Sequence, residues 1–281
     1  MSQRRFEKTI VFIAFAGEEI GLVGSTLYSG AAKKRGDRIE AVFNNDIVGN
    51  DVAGNGRSVN SLVHVFSEDP DDSPSRELAR YIRDCAQLYV PEFEAKTIFR
   101  NDRFGRGGDH TPFNLDGFAA VRFTTPAENL GAQHTANDTV DKTNPAYTAS
   151  VARVNLAAVA SLASAPRAPE TMRELTSGPN KGRLTTNLAR GKSSYDAVLS
   201  WKDGSPAGDL AGYAIVMRPT TAAYWEREIF VGKVTRYTLQ NVSLDDAVFG
   251  VKAIDTDGHE SVVTPWVNAP AAPRKPIELA E

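Results

Sequence analysis

The sequence predicts an α/β fold: an open, mostly parallel sheet with flanking helices, followed by a C-terminal antiparallel β-sandwich. Three observations predict it. Apolar, β-branched runs such as Thr9–Ala16 and Phe118–Thr124 read as strands buried on both faces, as parallel sheets require. These runs alternate with segments of helical periodicity, which is the βα pattern of an open sheet. Beyond Ser164-Ala165-Pro166 the texture changes to short alternating strands between turn clusters, the mark of a sandwich.

In chain order, Thr9–Ala16 is the first strand and ends abruptly at Gly17. Leu22–Lys34 reads as a helix ending near Gly36. Arg38–Asn45 is a second strand that delivers Asp46 at its end, and Ser61–Ser67 is a third after a Gly/Asn-rich loop. Ser73-Pro74 has N-cap and first-turn chemistry, with Leu78, Ile82, Cys85 and Tyr89 following at helical spacing. Thr97–Phe99 is a short strand and Phe118–Thr124 a buried one. Asn144-Pro145 then opens a long helix with Val151, Val154, Ala158 and Leu162 on one side. Residues 164–173 read as a linker, because Pro166 and Pro169 bar helix continuation. The sandwich is expected over residues 174–270, with strands at Tyr195–Trp201, Gly212–Arg218, Glu228–Val231, Arg236–Leu239, Ala247–Ala253 and Ser261–Val267, and a tail over 271–281.

Composition removes several functions. The 281 residues are 41% hydrophobic and 24% charged, ordinary globular material with room for two domains. A net charge of −3 argues against nucleic acid as the main partner. The single Cys85 excludes an internal disulfide and a cysteine zinc cage. There is no apolar run long enough to span a bilayer, and Thr9–Ala16 ends in Gly-Glu-Glu rather than a signal-peptide cleavage site.

The chemistry concentrates at Glu18-Glu19. Ligands of open α/β sheets sit at the carboxyl ends of the strands. Two ionised carboxylates there cost several kcal/mol, on the order of a buried charge, unless a cation compensates. Adjacent residues point in different directions, so one Glu can bind a metal while its neighbour acts as a general base, as metal-assisted hydrolysis requires. Asp46 follows a strand in the same way, although Asp also favours turns. His134 and Asp138 fit a ligand and its orienting partner. Asp109 and His110 are candidates for the substrate pocket or the support of the ligands, and His110 can equally pack within its loop. His64, in an alternating strand, and His259, in a turn, read as structural. The acidic run Glu68–Asp72 reads as a solvated loop.

Four segments carry a family resemblance. Phe15-Ala16-Gly17-Glu18-Glu19-Ile20-Gly21-Leu22-Val23-Gly24-Ser25 resembles the Glu-Glu signature of the M28 co-catalytic zinc peptidases. Asn44-Asn45-Asp46-Ile47-Val48-Gly49 resembles their Asn-x-Asp-(Met/Ile)-x-Gly strand end, and His134-Thr135-Ala136-Asn137-Asp138-Thr139 their His-Thr-x-x-Asp-Thr loop. A weaker match is Asp109-His110-Thr111-Pro112-Phe113 with Gly117–Val121. The resemblance covers about residues 5–163. It implies a pair of zinc ions, with Asp46 on one and Glu19 and His134 on the other, Glu18 as base, and a peptide as substrate. The family also uses a His and a bridging Asp ahead of Glu18; here no His precedes His64 and no Asp precedes Asp37. The expectation is therefore an N-terminally truncated piece of a longer enzyme with impaired activity, the full-length protein being secreted or periplasmic. Aminopeptidase action ranks first, with carboxypeptidase-like hydrolysis and glutaminyl cyclisation left open by the residues.

The later half resembles a fibronectin type III domain. Trp201 would be its core tryptophan, and Phe249 stands where a tyrosine is common. No catalytic constellation occurs there. A carbohydrate, cell-surface or protein partner is the expectation for this half, and a catalytically inactive binding or scaffold protein is the competing reading of the whole chain.

Overall fold

The computed structural model describes residues 5–68, 70–101, 107–179, 181–192, 195–204 and 208–267. Asp69, most of the polar stretch before Asp109, the end of the expected sandwich and the expected tail lie outside the described residues. The chain divides into two compact units, Met1–Ala165 and Pro166–Glu281.

The first unit holds β1 (Val42–Asn45), β2 (Leu62–Ser67), β3 (Glu94–Phe99) and β4 (Ala120–Thr124), with helices α1 (Val23–Arg35), α2 (Pro74–Tyr89), α3 (Thr111–Leu115) and α4 (Pro145–Ser164). The strand order is β1-β4-β2-β3. The pairs β1–β4 and β2–β3 are parallel, and β2–β4 is antiparallel, so the sheet is mixed. A parallel pair needs a crossover, and α2 supplies it between β2 and β3. Ser73 starts α2, its Oγ accepting from the Arg76 N–H at 3.2 Å, and Pro74 fills the first turn where its missing donor costs nothing. Asn144 Oδ1 does the same for α4, accepting from the N–H groups of Ala146 and Tyr147. Leu78, Ile82 and Ala86 of α2 and Val151, Val154, Ala158 and Leu162 of α4 are buried, as are Val63, Val65, Val121 and Phe123 of the sheet. The helical spacings read from the sequence thus mark the faces that build the core, with buried Cys85 among them, except at the end of α2, where Tyr89 is 59% exposed.

The expected strand at Thr9–Ala16 is not formed. The segment pairs with no strand among the described residues, and Val11, Phe12 and Ile13 are 62%, 85% and 43% exposed. An apolar run becomes a stable strand only with ladder partners on its edges and packing on its faces. Here β1 bonds β4 along one edge, and no described strand lies along the other. The end of the segment is nevertheless anchored: the Phe15 ring packs against Tyr28 at 5.9 Å and Phe113 at 6.0 Å, centroid to centroid.

The second unit contains β5 (Met172–Glu174), β6 (Leu184–Thr186), β7 (Leu188–Arg190), β8 (Ala197–Ser200), β9 (Leu210–Pro219), β10 (Arg227–Gly232), β11 (Arg236–Leu239), β12 (Ala247–Asp255) and β13 (Thr264–Pro265). They form antiparallel sheets ordered β10-β9-β12-β13 and β11-β8-β7, with the pair β5-β6 beside them. Leu199, Trp201, Tyr213, Ile215, Leu239, Phe249, Val251 and Trp266 make one buried cluster drawn from both larger sheets. Trp201 meets Tyr213 and Trp266 edge-on at 5.4 and 6.0 Å. Within the 164–173 segment, Ser164 closes α4 and Met172 opens β5. Among the described residues, no helix is long and apolar enough to cross a membrane.

Candidate active site

The Gly17-Glu18-Glu19 turn is shaped by glycines with defined tasks. Gly17 has φ +72°, a left-handed backbone that side-chain-bearing residues rarely adopt. At Gly24, in the first turn of α1, a Cβ would stand 2.7 Å from the Ala16 carbonyl oxygen, so α1 can lie against the incoming chain only without a side chain there. The Gly24 N–H bonds that carbonyl at 2.9 Å, and the Val23 N–H bonds Gly17 O at 3.1 Å. The result is a half-buried Glu18 and an exposed Glu19.

Glu19 reaches His134. Its Oε1 lies 2.7 Å from His134 Nε2, joining residues 115 positions apart. His134 has φ +59°, a left-handed conformation that a non-glycine residue adopts at a cost. Among the described residues the imidazole Nε2 meets Glu19, and the Asp138 N–H closes a turn on the Thr135 carbonyl at 3.1 Å.

Asp46 is held by β4. Its N–H bonds the Phe123 carbonyl at 3.1 Å, extending the β1–β4 ladder by one residue. Its Oδ2 lies 3.0 Å from Arg122 Nη2. The next residue, Ile47, has φ +57°, strained for a β-branched side chain by about 1–3 kcal/mol. Its carbonyl accepts from the Thr125 N–H at 2.8 Å, so β4 fixes both sides of the strained turn.

Asp109 and His110 precede α3 and are drawn in beside Asp46. A Cβ on Gly108 would meet Asn44 Nδ2 at 3.1 Å, and Asp46 Oδ2 and His110 Nδ1 at 3.4 Å, so these side chains gather around that glycine. His110 is fully buried, with Glu68 Oε1 3.4 Å from its Nε2. Asn44 Nδ2, Asp109 Oδ1 and both His110 ring nitrogens are buried without a hydrogen-bond partner among the described residues. Buried polar groups are normally bonded, so this concentration marks a buried polar cluster beside Asp46.

Glu18 feels the whole group. Burial raises its pKa above the ordinary carboxylate value, and the negative charges of Glu19, Asp46 and Asp109 raise it further, while Arg122 lowers it. That list of neighbours places all four carboxylates in one electrostatic field. A carboxyl whose pKa is raised has the character a general base needs.

The donors are carboxylate oxygen and imidazole nitrogen, the set that suits zinc. Even so, no group of three or more potential ligands closes around one point among the described residues. Glu19 and His134 meet each other, whereas Asp46 meets Arg122. Arg122 is the site residue that sequence reasoning missed. Its signal was a charged residue within the apolar run Phe118–Thr124, where burial demands a countercharge. His64 and His259 stand apart: the first meets the Phe66 ring edge-on, and the second pairs with Asp255 at 2.8 Å.

Comparison with known proteins agrees with this chemistry. Residues 1–159 match the peptidase family M28, and the chain belongs to that family. A probable zinc metalloprotease of Leptosphaeria maculans is 35% identical over 93% of this chain and 63% of its own length. A probable zinc metalloprotease of Pyricularia oryzae is 33% identical over 93% of this chain and 55% of its own. This chain therefore spans about 55–63% of the length of these relatives. Among solved structures, the LapA aminopeptidase of Legionella pneumophila is 24% identical over 58% of this chain and 42% of that one, with a TM-score of 0.47. The FN3 domain of human collagen XX is 21% identical over 34% of this chain and 80% of that one, with a TM-score of 0.24.

Proposed function

We propose that the first unit is the distal part of the catalytic unit of a zinc exopeptidase acting on peptides, with aminopeptidase action ranked first. The observation that carries the proposal is the 2.7 Å meeting of Glu19 and His134, next to Glu18, whose pKa burial and the neighbouring carboxylates raise. Glu19 and His134 would hold one zinc ion, and Asp46 a second. Zinc supplies Lewis-acid activation of water and of the scissile carbonyl. Glu18 accepts the proton of the attacking water and returns it to the leaving amine. Asp109, within the same field, adds to the raised proton affinity of Glu18.

Three ligands divided between two ions leave each below the three protein donors usual for catalytic zinc. The missing His and bridging Asp are proposed to come from polypeptide outside this chain. Three facts support that: the length of the relatives, the unpaired and exposed Thr9–Ala16 segment, and the second edge of β1 with no described strand along it. A chain catalytically inactive by itself follows from the same shortage of ligands. The second unit is proposed as a fibronectin type III-like module with Trp201 at its core, binding a carbohydrate, cell-surface or protein partner. Secretion or export to the periplasm is proposed for the full-length protein.

Zinc titration of the purified chain against a chromophoric chelator tests the ligand assignment. Glu19→Ala and His134→Ala are each expected to weaken the tightest zinc by tenfold or more, while His259→Gln leaves it unchanged. Equal affinity in all four proteins would remove Glu19 and His134 from the metal site.

A further inference from the structure

His134 lies in a stretch without regular structure. Among the described residues, no helix or strand occurs between the end of β4 and the short 3₁₀ helix Val140–Lys142. Such a loop holds a side chain in one place only if its ends are tied down, because ordering each residue costs entropy. Both ends are tied to the segment that follows Asp46. On the way in, the Thr125 N–H donates to Ile47 O at 2.8 Å, and the Gly54 N–H to Glu128 O at 3.3 Å. Between these two bonds, Asn50 Nδ2 donates to Ala127 O at 3.3 Å. On the way out, the Asn144 N–H donates to Gly49 O at 2.7 Å, and Thr148 Oγ1 to Val48 O at 3.3 Å. The Asn50 amide is itself held in place. Its Nδ2 also donates to Val52 O at 2.7 Å, and its Oδ1 accepts from the Val52 N–H at 3.2 Å. This Asx-type turn aims the remaining amide N–H at Ala127, which is 1% exposed. The joined segments are also strained, with φ +57° at Ile47 and φ +59° at His134. Such conformations persist only where the surroundings over-determine them.

We infer that Asn50 is a positioning residue of the metal site, joining the Asp46 segment to the His134 loop so that the two ligands keep one spacing. This role rests on the zinc-site reading above. Removing groups that orient metal ligands typically changes metal affinity by about 10–100-fold.

The test compares N50A, N50D and a control, Ile82→Val, with wild type on the full 281-residue chain. Ile82 is a buried residue of α2, outside the joined segments. Zinc competition gives the affinity of the tightest ion, and hydrogen exchange without zinc follows the amides of Gly54 and Thr125. N50A is expected to weaken zinc about tenfold or more. It should also speed exchange at both amides by about tenfold, with α2 amides unchanged. N50D keeps the shape and the Oδ1 acceptor but loses the donor. Its added charge by itself attracts a dication, so weaker zinc in N50D reports lost geometry. Ile82→Val should lower the urea midpoint with zinc affinity unchanged. Unchanged zinc affinity in folded N50A and N50D overturns the positioning role, and so does an equal loss of zinc in Ile82→Val. Unchanged exchange in N50A overturns it as well, because Asn50 then does not join the segments. If wild type itself binds no zinc, the zinc-site reading fails, and the exchange comparison alone decides whether Asn50 joins the two loops. If N50A does not fold, N50D carries the same comparisons.

Discussion

At the scale of single residues, environment sets roles that residue type leaves open. Glu18 and Glu19 are chemically identical neighbours. Burial and three nearby carboxylates raise the pKa of Glu18, while exposed Glu19 meets His134. The Glu-Glu pair and His134 were legible because their sequence contexts are distinctive. Arg122 was not, because only the β1–β4 pairing shows which carboxylate faces it. His64 gives a prediction at this scale. Burial and Lys96, opposite it on β3, lower its pKa below the ordinary histidine value. The unfolded chain then binds a proton that the folded chain refuses. Stability is full above pH of about 6.5 and falls as the pH drops below it towards the folded pKa. His64→Gln should flatten this decline between pH 7 and 5 in urea midpoints of the first unit; an unchanged slope would contradict it.

At the scale of elements, local signals found the helices, and pairing decided the strands. Ser73-Pro74 and Asn144-Pro145 mark helix starts because capping chemistry lies within a few residues of the groups it satisfies. The apolar run Thr9–Ala16 has the composition of a buried strand, yet composition does not supply ladder partners. Its side chains are exposed because no described strand stands beside it. The same limit applies to the expected strand over Ser261–Val267, which forms a ladder at Thr264–Pro265, with single backbone bonds from Ser261 and Trp266 to β12. The cap of α2 is directly testable. Ser73 Oγ accepts from the Arg76 N–H and donates to the Glu68 carbonyl at 2.8 Å. Ser73→Ala should cost about 1–2 kcal/mol, with faster hydrogen exchange at the Arg76 amide, and Ser73→Thr should restore most of it. Unchanged exchange in Ser73→Ala would show that Pro74 and burial hold the helix start without the cap.

At the scale of the whole molecule, the change of texture near Pro166 was visible in the sequence because a helical pattern gives way to alternating strands. Contacts divide the chain at the same place, between Ala165 and Pro166. The direction of strand pairing was not visible: β2 and β4 run antiparallel, and nothing in either run's composition states it. Residues 1–159, which include Glu18-Glu19 and Asp46, belong to family M28, and the relatives are longer than this chain. The central claim is that these residues form an incomplete zinc-peptidase centre with Glu18 as its base. Its most direct test is zinc-dependent hydrolysis of aminoacyl chromogenic substrates by the 281-residue chain, by a longer natural polypeptide containing it, and by that polypeptide with Glu18→Gln. The account predicts negligible turnover and fewer than two tight zinc equivalents for the chain. It predicts turnover with two zinc ions for the longer polypeptide, and turnover down by at least about 10²-fold with zinc retained for Glu18→Gln. Robust zinc-dependent cleavage by the 281-residue chain itself, or full activity after Glu18→Gln, would contradict it.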